Sequence, residues 1–468
     1  MSPAVPVAEQ LRAAAQLVHE GRFLQAEAFA RQVLSRQPRN AEAHHVLALS
    51  ALFQGRPAQA LPAIDKAVSL AGADPQFHFI RAMCLAGAGR AEEAVASYRK
   101  ALALRPAFFE AWANLGNLLE RHGQWAQAEE AYGRAIRLRP GTGPVLNGLG
   151  MCALARGDRE AAAQAFAGAV SADPASHTAR NNLGQTLGKL KRMQEGIAQL
   201  REAVRLKPDY AVAWVNLGEL CHSAGLDAQA VEAIDHALAI DPSNDGLRHL
   251  RDAIAGVQTG RAPDDYIRDF FDRFAEDFDK RLVQDLEYRT PQRMVEFLSP
   301  WLAGREGRLR IEDLGCGTGL SGIALKPWAA SLAGADLSAG MLAKARERGI
   351  YDSLQEAEIA AYLDGRPTGG CDLVAAMDVF VYVGDLDPIF RAVSRSLAPG
   401  GMFAFSVERL EDGEGFRLAR SGRYAHSPGY LRDLARAHGL AEWKIDETVI
   451  RKEAGRDVGG LHAAFTKA

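Results

Sequence analysis

A period of 34 residues governs the first half of the chain. Pro106, Pro140, Pro174, Pro208 and Pro242 each stand 34 residues after the last. Pro38 lies two periods before Pro106, and the skipped slot holds Gly72, another helix breaker. A second series places glycines at Gly21, Gly55, Gly89, Gly123, Gly157 and Gly225, with Lys191 the one exception. Alanines form a third series (Ala26, Ala60, Ala94, Ala128, Ala162, Ala230). Leu-Gly pairs form a fourth at Leu115-Gly116, Leu149-Gly150, Leu183-Gly184 and Leu217-Gly218. Four series on one period mean one small unit stacked on its own copies, because such a unit cannot bury its apolar face alone.

Within a unit, apolar residues recur at helical spacing on both sides of the glycine, as in Trp112, Leu115, Leu119 and then Ala128, Ala131, Ala135. The glycine is expected to end the first helix in a left-handed conformation, and the proline to stop the second. Small residues let the two helices approach closely. The period, the W-x-x-L-G pattern (Trp112, Leu115, Gly116; Trp214, Leu217, Gly218) and the trailing proline resemble the tetratricopeptide repeat. Seven units are expected from about residue 5 to 242, followed by a capping helix over Asp245–Val257.

The resemblance implies a solenoid whose concave face holds a protein or peptide partner. Phe108, Phe109, Trp112, Trp125, Tyr210 and Trp214 are available for aromatic contacts. Trp112 and Trp214 share one repeat phase, which equally suits a packing slot between helices. Asn114, Asn117, Asn147, Asn181, Asn182 and Asn216 recur near the end of the first helix. They are either plain solvated positions or partners for a peptide backbone.

Composition narrows the function classes. Of 468 residues, 48% are apolar and 24% charged, which excludes wholesale disorder. The 55 basic and 58 acidic side chains leave a net charge of −3, so nucleic acid is not expected as the main partner. Five cysteines lie far apart without a CxxC, and neither a metal site nor a disulfide framework is expected. No uncharged apolar run reaches the ~18 residues of a membrane-spanning helix. The opening Met1-Ser2-Pro3-Ala4 does not lead into a secretory pattern, so a cytoplasmic protein without a membrane partner is expected.

Gln258-Thr259-Gly260-Arg261-Ala262-Pro263 interrupts the repeat and reads as a linker. Tyr266, Phe270, Phe274 and Phe278 then stand four apart on one helical face. That face suits a helix packed on the following domain, or a lid over an active site. Another helix is expected over Gln292–Leu298. From residue 309 strands and helices alternate. Strands are expected at Leu309–Leu314, Leu332–Asp336, Leu373–Met377 and Met402–Val407. Helices are expected at Leu320–Lys326, Gly340–Arg348 and Pro388–Ala398. Trp443–Arg451 and His462–Lys467 follow each other as a terminal hairpin. The pattern predicts a doubly wound, mostly parallel sheet with its site at the C-terminal edge of the strands. The expected division is 1–258 for the array and its cap, 259–308 for linker and helical cover, and 309–468 for the α/β domain.

The loop Gly315-Cys316-Gly317-Thr318-Gly319 follows the first strand. Gly317, Gly319 and Gly322 also spell a G-x-G-x-x-G, so a nicotinamide dehydrogenase is the competing reading. Asp313, placed just before the loop, argues against it, because a pyrophosphate would meet a carboxylate there. Ile311–Gly319, Ala335–Met341 and the Leu397-Ala398-Pro399-Gly400-Gly401 turn resemble the motifs of a class I S-adenosyl-L-methionine-dependent methyltransferase. The resemblance implies a Rossmann-like, seven-stranded domain, and an enzyme joined to an all-α solenoid.

It also implies roles. Gly315, Gly317 and Gly319 would admit the methionine part of the cofactor, and Asp313 would meet its cationic end. Asp336 would accept hydrogen bonds from the ribose hydroxyls, with Leu337 and Met341 against the adenine. Glu358 would stand where the family often has Asp near the adenine amino group, with Glu356 a competing choice. Met377, Asp378 and Val379 would line the boundary of cofactor and acceptor. Arg289 would hold the cofactor carboxylate, or else form a surface ion pair. No Asn-Pro-Pro-Tyr follows the fourth strand, so the usual signature of amide or adenine methylation is missing. Tyr382, Glu408, Tyr424 and His426 are expected near the site mouth, with His426 and Tyr382 as candidate catalytic groups. The acceptor, a protein or a small molecule, is not specified. The competing class is a scaffold with a cofactor-binding but inactive domain.

Overall fold

The computed structural model describes residues 6–276, 278–280, 288–453 and 456–468. The chain forms two compact units that divide between Asn216 and Leu217. Fourteen helices, from α1 (Val7–His19) to α14 (Asp227–Ile240), alternate between 13 and 14 residues. Helix α15 (Asp245–Ala255) follows, capped by Asn244, whose side chain accepts the Leu247 N–H at 2.9 Å.

The four sequence series have physical counterparts. Every glycine of the second series has a positive φ, and Lys191 adopts the same left-handed conformation at φ 64°. The geometry belongs to the repeat, not to the residue that occupies it. A Cβ on Gly116, Gly150, Gly184 or Gly218 would sit 2.5–2.7 Å from Tyr132, Phe166, Leu200 or Ile234, each 16 residues further on. These glycines set the close approach of paired helices. Trp112 Nε1 donates to the Pro106 carbonyl, and Trp214 Nε1 to that of Pro208, both at 2.9 Å. His44, His78 and Arg180 make the same bond, six residues back, to Pro38, Gly72 and Pro174. This phase ties these five first helices to the loops before them. The asparagines form cross-repeat pairs: Asn182 donates to Asn147 at 3.0 Å and Asn216 to Asn181 at 2.8 Å.

In the second unit, α16 (Asp264–Phe274), a single turn α17 (Phe278–Lys280) and α18 (Thr290–Leu302) precede the sheet. The aromatic helix therefore ends at Phe274, and Phe278 belongs to a separate turn. The sheet contains β1 (Leu309–Leu314), β2 (Ala329–Asp336), β3 (Ser353–Glu356), β4 (Cys371–Ala376) and β5 (Leu397–Arg409), parallel in the order β3-β2-β1-β4-β5. Two three-residue strands, β6 (Phe416–Leu418) and β7 (Tyr424–His426), add to the expected seven. The hairpin of β8 (Leu440–Glu453) and β9 (Arg456–Lys467) closes the chain, with β9 antiparallel to β5 from Met402↔Thr466 to Glu408↔Gly460. Past the end of β4, β7 pairs with Glu408 and Arg409 of β5.

Alternation along the strands covers both faces. Leu373, Ala375, Met402 and Ala404 pack with Met294, Phe297 and Leu298 of α18. Val374, Ala376, Phe403 and Phe405 pack with α21 (Ile359–Asp364), α22 (Asp387–Ser396) and α23 (Pro428–Ala437). Strands buried on both faces read as continuous apolar runs, as these do. Two further helices, α19 (Leu320–Leu325) and α20 (Ala339–Glu347), follow β1 and β2. Among the described residues no helix is long and apolar enough to cross a membrane.

Candidate active site

A cavity of about 290 Å³ opens where β1, β2 and β4 end. Its first wall is the loop after β1, with Gly315, Cys316, Gly317 and Thr318. A Cβ on Gly315 would lie 2.5 Å from Val379 Cγ2, while Gly317, at φ 54°, has nothing within 4 Å of that position. The loop thus presents bare backbone to a ligand. Behind it Asp313 is fully buried, and its Oδ2 accepts hydroxyls from Ser321 and Tyr351, both at 2.6 Å. Its Oδ1 has no hydrogen-bond partner among the described residues. Burial pushes this carboxyl up to about 6, against the lowering effect of its two bonds.

The second wall carries Asp336, Leu337, Met341 and Glu358. The Asp336 carboxylate accepts the N–H groups of Gly317 and Ser338, each at 2.9 Å. Burial raises its pKa, opposed by these backbone bonds. Ser338 Oγ accepts the Met341 N–H at 3.0 Å and so caps α20. Glu358 caps α21 through the Ala361 N–H at 2.9 Å and lies 3.5 Å from Arg261. Glu356 is exposed and is not on the cavity.

The third wall follows β4, with Met377, Asp378, Val379 and Tyr382, joined by Arg423 and Arg451. Asp378 has φ 61°, a strained conformation for a residue with a side chain. Its N–H donates to Ser406 Oγ at 2.7 Å, and its carboxylate accepts Arg451 Nη1 at 2.8 Å. Arg451, with its side chain 3% exposed, also bonds Glu408. Burial pushes the Tyr382 phenol up to about 12, so it remains a proton donor at neutral pH.

Phe270, Phe271, Phe274 and Phe278 complete the lining. Phe271 meets Tyr382 edge-on at 5.6 Å and 85°. Asp272 accepts the Gly340 N–H at 3.0 Å and the Ser338 hydroxyl, while Asp279 bonds Thr318 and Arg348. The cover is thereby fastened to the loops after β1 and β2. The same helix both packs on the domain and walls the cavity.

Of the residues chosen from sequence, Gly315, Gly317, Asp336, Leu337, Met341, Glu358, Met377 and Tyr382 come together on the cavity. Gly319 instead starts α19, and Asp313 lies behind the loop. Two expectations are corrected. Arg289 is an exposed residue at the start of α18, away from the lining; among the described residues, the arginines on the cavity are Arg261, Arg423 and Arg451. His426 is fully buried, bonded through Nε2 to the Gly384 carbonyl at 3.1 Å and stacked on Tyr430. Burial holds its pKa down to about 4, so it is a neutral structural group off the cavity. Tyr424 also turns away, its hydroxyl bonded to Thr259. Arg423 and Arg451 carried no sequence signal, since a lone arginine near a terminal hairpin reads as a solvated position.

Residues 312–405 match the family model described as a methyltransferase domain. Residues 45–107, 113–177 and 181–245 match that of the tetratricopeptide repeat. The chain is 36% identical over 131 residues to a trans-aconitate 2-methyltransferase of Methylobacterium nodulans, covering 27% of this chain and 48% of that protein. It is 32% identical over 101 residues to a ubiquinone biosynthesis O-methyltransferase of Xanthomonas oryzae, covering 21% and 42%. The chain thus spans about half the length of the curated methyltransferases it matches. Among solved structures, YrrB, described as a tetratricopeptide repeat protein with an unusual peptide-binding site, is 23% identical, covering 41% of this chain and 98% of YrrB, with a TM-score of 0.37. The class is therefore that of methyltransferase-domain proteins. In this one, an array of tetratricopeptide repeats is joined to the methyltransferase domain.

Proposed function

We propose that the protein is a cytoplasmic methyltransferase that uses S-adenosylmethionine, with residues 1–258 recruiting a protein partner or substrate, 259–308 covering the site and 309–468 carrying the chemistry. The observation that carries this reading is Asp336. It ends β2, faces the cavity and is tied by the Gly317 N–H to the glycine loop, so ribose and methionine sites share one frame. The residues present fit the cofactor: Gly317 leaves bare backbone, and Asp313, behind the loop, adds a buried carboxyl whose Oδ1 has no partner among the described residues. Leu337, Met341 and Ile359 supply an apolar slot for adenine, with Glu358 beside it.

When bound, the cofactor supplies a methyl group already activated on a sulfonium. The chain's own work is to bind, orient and exclude water, and orientation alone contributes roughly 7–11 kcal/mol to such reactions. The phenylalanines of the cover keep water from that space. The matched relatives are named as methyltransferases, one of them specifically for oxygen, which supports transfer to oxygen here. The cross-repeat asparagine pairs Asn147–Asn182 and Asn181–Asn216 support a peptide-binding row, with the half-buried Asn147, Asn182 and Asn216 held in place partly by the buried Asn181.

Calorimetric titration of the full chain with S-adenosylmethionine, S-adenosylhomocysteine and NADH tests the reading. Micromolar binding of both adenosyl ligands without NADH supports it. Silence toward both leaves a repeat scaffold with an inactive domain.

A further inference from the structure

We infer that Tyr351 is a positioning residue of the proposed cofactor site, whose hydroxyl holds the buried Asp313 carboxylate ready for the cationic end of S-adenosylmethionine. The inference rests on the proposed cofactor reading and adds a residue outside the motifs that carry it.

Tyr351 lies between α20 and β3. Its neighbour Asp352 fixes this segment on β2: the Asp352 N–H donates to the Leu332 carbonyl at 2.8 Å, and its carboxylate accepts the Leu332 N–H at 2.7 Å. The Tyr351 ring then lies against Gly334, the β2 residue that pairs with Asp313 of β1. Three glycines make room for it. A Cβ would lie 2.9 Å from Tyr351 Cε1 on Gly334, 3.1 Å from Cε2 on Gly319 and 2.5 Å from Cζ on Gly322. Gly319 and Gly322 are two of the glycines that spell G-x-G-x-x-G, and here they accommodate a side chain of the protein itself.

The ring carries its hydroxyl to the carboxyl. Tyr351 Oη donates to Asp313 Oδ2 at 2.6 Å, and Ser321 Oγ donates to the same oxygen at 2.6 Å. Two donors on one oxygen fix the rotation of the carboxyl and leave Oδ1, which has no partner among the described residues. Burial pushes this group up to about 6; the two hydroxyl bonds favour its ionised form, and the nearby Asp336 charge opposes it. The Cys316 thiol and the Tyr288 and Tyr351 phenols beside it are all pushed up by burial, so they stay neutral and protonated. An ammonium group is attracted to Asp313 only while the carboxyl is ionised, and strongly so in a buried setting. Tyr351 therefore sets the pH range over which the cofactor is held.

Calorimetric titration of the full chain with S-adenosylhomocysteine, between about pH 5 and pH 8, tests this. Wild-type affinity should fall below about pH 6, by up to about tenfold per pH unit. Tyr351→Phe keeps the ring and loses the donor, and should move the onset of the fall upward by about one pH unit. Ser321→Ala removes the other donor and should move it the same way, which keeps the question open to measurement if Tyr351→Phe does not fold. An unchanged midpoint in either folded variant, with or without a uniform loss of affinity, overturns the inference and leaves the cofactor reading intact. Wild-type affinity that does not vary with pH does the same. Failure of the wild type to bind S-adenosylhomocysteine at any pH overturns both.

Discussion

Gln258 pairs with the backbone of Leu418 from both sides: its Oε1 accepts the Leu418 N–H at 2.7 Å, and its Nε2 donates to the Leu418 carbonyl at 3.4 Å. Neighbouring bonds extend the seam. Gly260 O accepts the N–H groups of Gly384 and Asp385, the Ala262 N–H donates to the Tyr382 carbonyl at 2.9 Å, and His249 Nε2 meets the Gly422 carbonyl at 2.9 Å. The segment that reads as a linker is therefore a structural strap from the capping helix to the loop carrying Tyr382. Gln258→Ala should destabilise the second unit by about 1–2 kcal/mol, since it leaves backbone groups of Leu418 without their partner. A lower urea midpoint with an unchanged slope is the expected result. An unchanged midpoint would make the strap incidental.

Lys191 holds a left-handed conformation that six glycines hold elsewhere in the array. For a residue with a Cβ this costs roughly 1–2 kcal/mol, partly offset in glycine by its larger unfolded-state entropy. Lys191→Gly should stabilise the array by about 0.5–1 kcal/mol, read as a higher unfolding midpoint of the full chain.

Gly116 faces Tyr132 so closely that an added methyl would lie 2.6 Å from the ring. Tyr132 has little freedom to yield, because its hydroxyl bonds Asn117 at 2.6 Å and also Glu120. Gly116→Ala should cost about 1–3 kcal/mol by overpacking, measured by thermal unfolding. Tyr132→Phe in the same background should not restore it, since the ring and not the hydroxyl makes the clash.

Asp336→Ala should weaken S-adenosylhomocysteine binding more than about tenfold, the loss expected for charge-assisted hydrogen bonds. Arg289→Ala should leave that affinity unchanged, because Arg289 is exposed and off the cavity. Parallel calorimetry of the two variants separates the residue that the cavity holds from the one it does not.

His426 gives a pH-dependent prediction. Its folded pKa of about 4 lies below its ordinary value, so the unfolded chain binds the proton first as pH falls below 6.5. The stability tied to a neutral His426 is fully present above pH 6.5 and is lost as pH falls toward 4, by at most about 1.4 kcal/mol per pH unit. Asp313 acts oppositely: with a folded pKa of about 6 it takes its proton first in the native state, adding stability as pH falls from 6 to 4. His426→Gln, which can still donate to the Gly384 carbonyl, should lose stability less steeply than the wild type below pH 6.5. It should retain methyl transfer at pH 7.5. Lost turnover in a folded variant would return His426 to the chemistry.

The repeat period, the helix-ending glycines, the alternation of strands and helices and the glycine loop with Asp336 were legible in the sequence. Each is set by local physics: a φ that only certain residues tolerate, a side-chain period, or a backbone that must come close to something. Even Lys191 was visible as the one exception in its series. The acceptor wall was not legible. Arg451 reaches Asp378 across 73 residues and Glu408 across 43, and sequence alone does not show which distant charges will share a buried space. Nor does it show that His426, in a loop near the site, turns into the core while Arg423, three residues earlier, faces the cavity. Local periodicity determined the elements and their order. Only the tertiary structure decided which polar side chains are desolvated together, because the cost of burying a charge is offset by partners that the chain brings from far away.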